Sequence, residues 1–249
     1  MLHDSIVTEI LFDSNTQKAT GVRVIHQHTH EIQEFYAKII FLNAGAINTA
    51  ALLLNSKSNR FTNGLGNDSD QVGRNIMDHH LGVGASALVD GFEDDYVVGQ
   101  RPTALYIPRF RNWGNDKRDF LRGYGYQGGA FRMDWKRGIG ADGFGVDFKN
   151  DLFSLGKWSM SFGGFGEVLP NPENRMYLDA SKKDQWGVPM IVFDASFGEN
   201  EILMRADMKL AAMEMLDAAG FKNVVGHNRQ DVHLGLGIHE MGTARMGRD

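Results

Sequence analysis

Residues 37 to 56, AKIIFLNAGAINTAALLLNS, constrain this chain more than any other stretch. The five positions Ile39 to Asn43, apolar up to the last, predict a strand buried on both faces, the kind that lies inside a parallel α/β sheet. Ala44, Gly45 and Ala46 follow and are small enough for a tight turn. Ile47, Ala51 and Leu54 then recur at i, i+4 and i+7 with no proline, which predicts a helix. Strand, small-residue turn and helix in that order is where α/β folds place ligands, just beyond the carboxyl end of a strand. The same spacing also fits a plain strand-to-helix connection that binds nothing.

The flanking sequence places this unit in a mixed chain. Residues 5 to 12 and 21 to 25 read as strands around a turn at Asp13, Ser14 and Asn15, and a third strand near 31 to 36 completes a meander. From 81 to about 197 many short strands with Gly, Pro and Asn punctuation predict a mostly antiparallel sheet. Glycines alternate with aromatics from Gly123 to Gly166, a pattern of close-packed sheet that flexible linkers lack. A helix is expected over 200 to 219, with Leu203, Ala206, Leu210, Met213 and Leu216 as its apolar stripe, its methionines in the core and Gly220 at C′.

Composition removes several classes of function. The formal charge of -5 is spread without blocks, which argues against a nucleic-acid surface. With no cysteine, disulfides, thiolate nucleophiles and cysteine-based zinc sites are excluded. No run approaches the roughly 18 apolar residues of a membrane helix. The start, MLHDSIVTEI, lacks the regions of a signal peptide and opens in the middle of a strand pattern.

Four motifs invite chemistry. GYGYQG, Gly123 to Gly128, has the letters of a dinucleotide fingerprint, but its flanks lack the strand and helix that a phosphate loop needs. In HQHTH the imidazoles of His26, His28 and His30 would share one face if extended and could then hold a metal; the favoured reading is a solvated hairpin tip. HEMGT begins like a zincin, yet Thr243 stands where the second His belongs, so no metal site is expected. QVGRNIMDHH, Gln71 to His80, fits either a polar interdomain turn or a site.

Taken in order, VTEILFD, AKIIFLNAGAINTAALLLNS, QVGRNIMDHH, LPNPENRMYLDASKKDQWGVPMIV and HEMGTARMG resemble the glucose-methanol-choline (GMC) oxidoreductases, flavoenzymes that oxidise alcohols and sugars. The likeness is nearest to bacterial sugar dehydrogenases of the gluconate and glucoside 3-dehydrogenase type, and is weakest from about 90 to 160. The resemblance implies a partial Rossmann-like FAD-binding domain over 1–80, a substrate domain on a mostly antiparallel sheet with flanking helices over 81–236, and a return to the FAD domain over 237–249. It implies FAD as cofactor and His239 as the active-site acid/base. It places Val7 at the adenine, Ala44 and Gly45 at the cofactor-side turn, Asn75, Asp78 and His79 beside the flavin, and Gly242 and Thr243 close to the isoalloxazine.

Family members begin with a G-x-G-x-x-G unit and continue to a second catalytic residue. The chain is therefore expected to be an internal fragment, inactive alone. The implied partners are a sugar or other alcohol, a small subunit, and a cytochrome or quinone acceptor. The compartment lies between cytoplasm and periplasm, the latter favoured through export with a partner. A non-catalytic carbohydrate-binding β module is the competing account; the strand and helix at 39 to 56 speak against it. Trp113, Tyr124, Tyr126, Trp135 and Trp158 offer faces for sugar stacking, although aromatics in a sheet are usually core.

Overall fold

The computed structural model describes residues 1–95 and 104–247. In chain order the elements are β1 (Ser5–Asp13), β2 (Lys18–His26), β3 (Ile32–Tyr36), α1 (Gly45–Asn55), β4 (Val83–Val89), β5 (Leu105–Ile107), β6 (Tyr124–Arg132), a 3-10 turn (Trp135–Gly138), α2 (Gly145–Phe153), β7 (Trp158–Gly166), β8 (Arg175–Lys183), β9 (Pro189–Asp194), α3 (Glu199–Ala218) and β10 (Lys222–Asn228). They form two compact units. The first holds Met1–Asp78, Leu169–Ser196 and the described residues from His233 onward; the second holds the described residues of His79–Val168 and Phe197–Val232. Helices and mostly antiparallel sheets make the chain mixed α/β, as the sequence predicts.

In the first unit β1, β2 and β3 form the expected antiparallel meander. The Asp13 carboxylate closes its first turn, accepting the Asn15 N–H at 2.9 Å and the Thr16 hydroxyl at 2.8 Å. β1 lies at the edge of this sheet, and the end of α1 covers part of that edge. The Ile10 N–H donates to Ser56 Oγ at 2.7 Å, and Asn55 Nδ2 donates to the Thr8 carbonyl at 2.7 Å. Ala50, Ile76 and Met176 form the buried centre, with Ile47, Ala51, Val72 and Ile191 packed on it.

The antiparallel hairpin β8–β9 belongs to this unit, although the sequence reading assigns it to the substrate domain. Backbone bonds hold it: Met176 N to Gly73 O at 2.7 Å and Ile76 N to Asn174 O at 3.0 Å. These partners are about a hundred residues apart, beyond the reach of any local pattern.

The buried strand expected at Ile39 to Asn43 does not form. The segment is irregular, with Ile39 71% and Phe41 81% exposed. A strand inside a parallel sheet needs hydrogen-bonded neighbours as well as covered faces, and none of the described strands pairs with this segment. The helix after it does form, as α1.

The second unit is a five-stranded antiparallel sheet in the order β10-β4-β7-β6-β5, with α3 against it. GYGYQG is the start of β6, which is strand and not a phosphate loop; Tyr124 and Tyr126 are buried in the core. The Tyr126 hydroxyl donates to the Met208 carbonyl at 2.6 Å, and the Tyr124 hydroxyl donates to Asp207. Burial, and then that bond, raise the Tyr124 phenol above its ordinary range. The expected sheet from 123 to 166 is interrupted, because Gly140 to Phe148 forms turn and the start of α2 between β6 and β7.

α3 has the expected boundaries and ends in a Schellman motif, with Gly220 at φ +80° and the Phe221 N–H bonded to the Leu216 carbonyl at 3.2 Å. Its buried face differs from the expected stripe. Met204, Met208, Ala211, Ala212 and Leu216 are buried with Glu201 and Arg205, whereas Leu203 and Leu210 are exposed. The reason lies in β7. A Cβ on Gly166 would stand 2.2 Å from Met208 Cε and 2.7 Å from Met204 Sδ, so the glycines make room for two unbranched methionines.

Candidate functional site

The segment Asn75–Asp78 and the segment Gly235–Thr243 meet in the first unit. Met77 and Met241 form an antiparallel bridge, with N–H to carbonyl distances of 2.9 and 3.0 Å. Asp78 is 2% exposed, and its carboxylate accepts three backbone N–H groups. Oδ2 takes Gly235 at 3.1 Å and Gly237 at 2.6 Å; Oδ1 takes His239 at 3.0 Å. The backbone carrying His239 is thus fixed on both sides of its imidazole, and the residue itself is exposed.

Gly242 and Thr243 continue the junction. Gly242 has φ +97°, and a Cβ there would stand 1.9 Å from the Asn75 carbonyl oxygen, so only glycine fits. Asn75 is itself at φ +59° and 7% exposed. Thr243 is 1% exposed; its hydroxyl donates to the Ala46 carbonyl at 2.7 Å and its carbonyl accepts the Gly73 N–H at 2.7 Å. The side chain of Thr243 therefore ties the loop to the first turn of α1, beside Ala44 and Gly45.

Val7 and Ala44 lie on one cleft of about 850 Å³. Its lining is mostly apolar, from β1, β2, the segment Ile40–Ala44, α1 and the β8–β9 hairpin, with Thr8, Asn43, Asn48, Asn55 and Asp184 as polar groups. That size and character suit a small-molecule or cofactor cleft, for which about 300 to 1,000 Å³ is usual. The N-terminus of α1 has no side-chain cap and no acidic residue in its first turn, so its amides suit an anionic group. These residues fit a dinucleotide such as FAD. The part of the lining from β9, Pro189 to Ile191, was invisible to sequence reasoning, because the hairpin reaches the cleft from far along the chain.

His79 belongs to the second unit, where its Nδ1 lies 3.1 Å from the Gly166 carbonyl and its ring meets Phe165 edge-on. HQHTH is the β2–β3 hairpin tip: His26 ends β2, and His28 and His30 are exposed in the turn with His30 at φ +60°. Of the aromatics considered for stacking, Trp113 and Trp135 are exposed at 75% and 60%.

A family model described as GMC oxidoreductase matches residues 1–81. The chain is 32% identical over 242 residues to 2-methyl-1,2-propanediol dehydrogenase of Mycolicibacterium austroafricanum, covering 93% of this chain and 42% of that protein. It is 28% identical over 186 residues to the fructose dehydrogenase large subunit of Gluconobacter japonicus, covering 74% of this chain and 33% of that one. The chain spans less than half the length of these relatives. The matches bear out the resemblance carried by the ordered motifs. The domain that the family model describes is the family's FAD-binding domain, which bears out FAD as the cofactor.

Proposed function

Taking as premise that residues 1–81 are a GMC oxidoreductase segment, we propose that this protein serves the FAD-dependent oxidation of an alcohol group, with His239 as acid/base. The observation that carries the reading is the junction at Asp78. It fixes the loop bearing His239, with Gly242 and Thr243, in the same compact unit that holds Val7, Ala44 and Gly45. Bound FAD would supply the hydride acceptor for the carbinol carbon. The chain's own residues do the rest. Val7, Ala44 and Gly45 with the amides of α1 hold the cofactor, Asn75, Asp78, Gly242 and Thr243 build the wall beside it, and His239 takes the hydroxyl proton.

The reaction is read as a dehydrogenase's, since both relatives carry that name. The proposed substrate is a sugar or sugar acid, which the name of the Gluconobacter relative supports. A small aliphatic diol is the second reading, supported by the name of the relative that aligns over 93% of this chain. The word "large subunit" supports a small-subunit partner, and a cytochrome or quinone is the proposed acceptor. Among the described residues no helix is long and apolar enough to cross a membrane. The periplasm, reached with such a partner, is the proposed compartment.

The test is His239→Ala in the native flavoprotein that carries these residues, with flavin bleaching followed by stopped flow for fructose, gluconate and a 1,2-diol. The variant is expected to slow bleaching by about 10² to 10⁴, the usual contribution of a positioned base. A rate within about threefold of wild type would remove His239 from that role.

A further inference from the structure

We propose that Asp78 is a positioning residue for His239, holding the backbone of the 235–239 loop in a strained form that aims the imidazole. The inference rests on the reading of His239 as acid/base and adds how that residue is placed. Its strongest ground is the conformation of Ile238. This β-branched residue sits at φ +61° while 78% exposed, so no burial of its side chain accounts for the left-handed backbone. For such a residue that conformation is a true outlier. The N–H groups of the two neighbouring residues, Gly237 and His239, both donate to the Asp78 carboxylate, at 2.6 and 3.0 Å, and Gly235 adds a third bond at 3.1 Å.

N–H groups turned to one side around a left-handed residue form a concavity that suits an anion, and here they are those of alternate residues, 235, 237 and 239. Here the anion is a side chain of the protein. The carboxylate, 2% exposed, collects three donors across five residues and so fixes the 238–239 peptide plane, which follows Ile238, and the 236–237 plane one residue before it. Beyond His239 the bridge between Met77 and Met241 closes the other side, so the imidazole hangs between two fixed points on one short segment. Removing the carboxylate's charge leaves the bridge intact and frees Ile238 to return to a relaxed backbone, which re-aims His239.

The experiment uses Asp78→Asn, of nearly the same shape, in the native protein. Hydrogen exchange is read residue by residue. Exchange at Gly235, Gly237 and His239 should quicken by about tenfold or more, the factor carried by one lost charged hydrogen bond, while the Met77 and Gly73 amides stay within about threefold. With substrate, kcat should fall by about tenfold or more and KM should stay within about threefold. Adding Ile238→Gly removes the strain, so Asp78→Asn/Ile238→Gly should regain protection and at least part of kcat, a rescue that a merely structural role does not give. Should Asp78→Asn fold poorly, Asp78→Ser, which also removes the charge, is read by the same exchange criterion.

Unchanged exchange at the three amides overturns the proposal. So does an unchanged kcat in Asp78→Asn when His239→Ala has lost turnover, and so does a loss of kcat that Ile238→Gly leaves untouched. If His239→Ala keeps its turnover, the acid/base reading fails by itself, and with it the catalytic half of the proposal. The exchange data then still decide whether Asp78 fixes the loop.

Discussion

Two glycines of the first unit share a left-handed backbone and differ in what surrounds them, which makes a matched test of the junction at Asn75. Gly45 has φ +74° with nothing within 4 Å of its would-be Cβ. Gly242 has φ +97°, and its Cβ would lie 1.9 Å from the Asn75 carbonyl oxygen and 2.8 Å from Met77 Cε. Alanine in a left-handed conformation costs about 1 to 2 kcal/mol. The stiffer unfolded chain returns about 0.4 to 1 kcal/mol of that. Gly45→Ala should therefore lose about 0.5 to 1 kcal/mol. Gly242→Ala adds an overlap with backbone that cannot swing away, and forced overpacking costs about 1 to 3 kcal/mol more.

The expected losses are about 0.5 to 1 kcal/mol for Gly45→Ala and about 2 to 4 kcal/mol for Gly242→Ala. Both residues lie in one compact unit, so a single urea transition followed by far-UV circular dichroism reads both. Equal losses within about 0.5 kcal/mol would refute the close approach of residue 242 to Asn75, and with it the joining of the two segments.

Gly166→Ala should destabilise the second unit by about 1 to 3 kcal/mol, since its Cβ would press on Met208, Met204 and His80. Thermal melts of Gly166→Ala, Met208→Ala and the pair should show coupling of about 1 kcal/mol, and strict additivity would rule out that contact. Burial of His227 lowers its pKa below the ordinary 6.5. The unfolded chain then binds the proton more readily, so stability should be full above about pH 6.5 and fall as the pH drops below it. Urea midpoints from pH 5 to 8 should show this slope in the native chain and a smaller one in His227→Gln; identical slopes would count against the half-buried imidazole.

Features settled by short-range chemistry were legible in the sequence. The β1–β2 hairpin follows from Asp13 and its turn, α3 ends where Gly220 supplies a left-handed C′, and α1 begins after the small residues Ala44 and Gly45. The ordered motifs also carried the family and its cofactor; Asp78, His239, Gly242 and Thr243 were expected site residues on that resemblance, and the segments that bear them meet in the structure.

Other features depended on partners far along the chain. The apolar positions of α3 contain two overlapping helical stripes, one through Leu203 and Leu210 and one through Met204 and Met208. Only the glycines of β7 decide which is buried. Ile39 to Asn43 has the composition of a buried strand but finds no neighbour among the described strands, and pairing makes a strand where composition alone does not. Asp78 meets the 235–239 loop across 157 to 161 residues of sequence, and no local spacing encodes that contact. Hydrogen bonds and packing between distant segments exist only once the backbone has closed around them, which is why the tertiary structure alone assigns Asp78 its three donors.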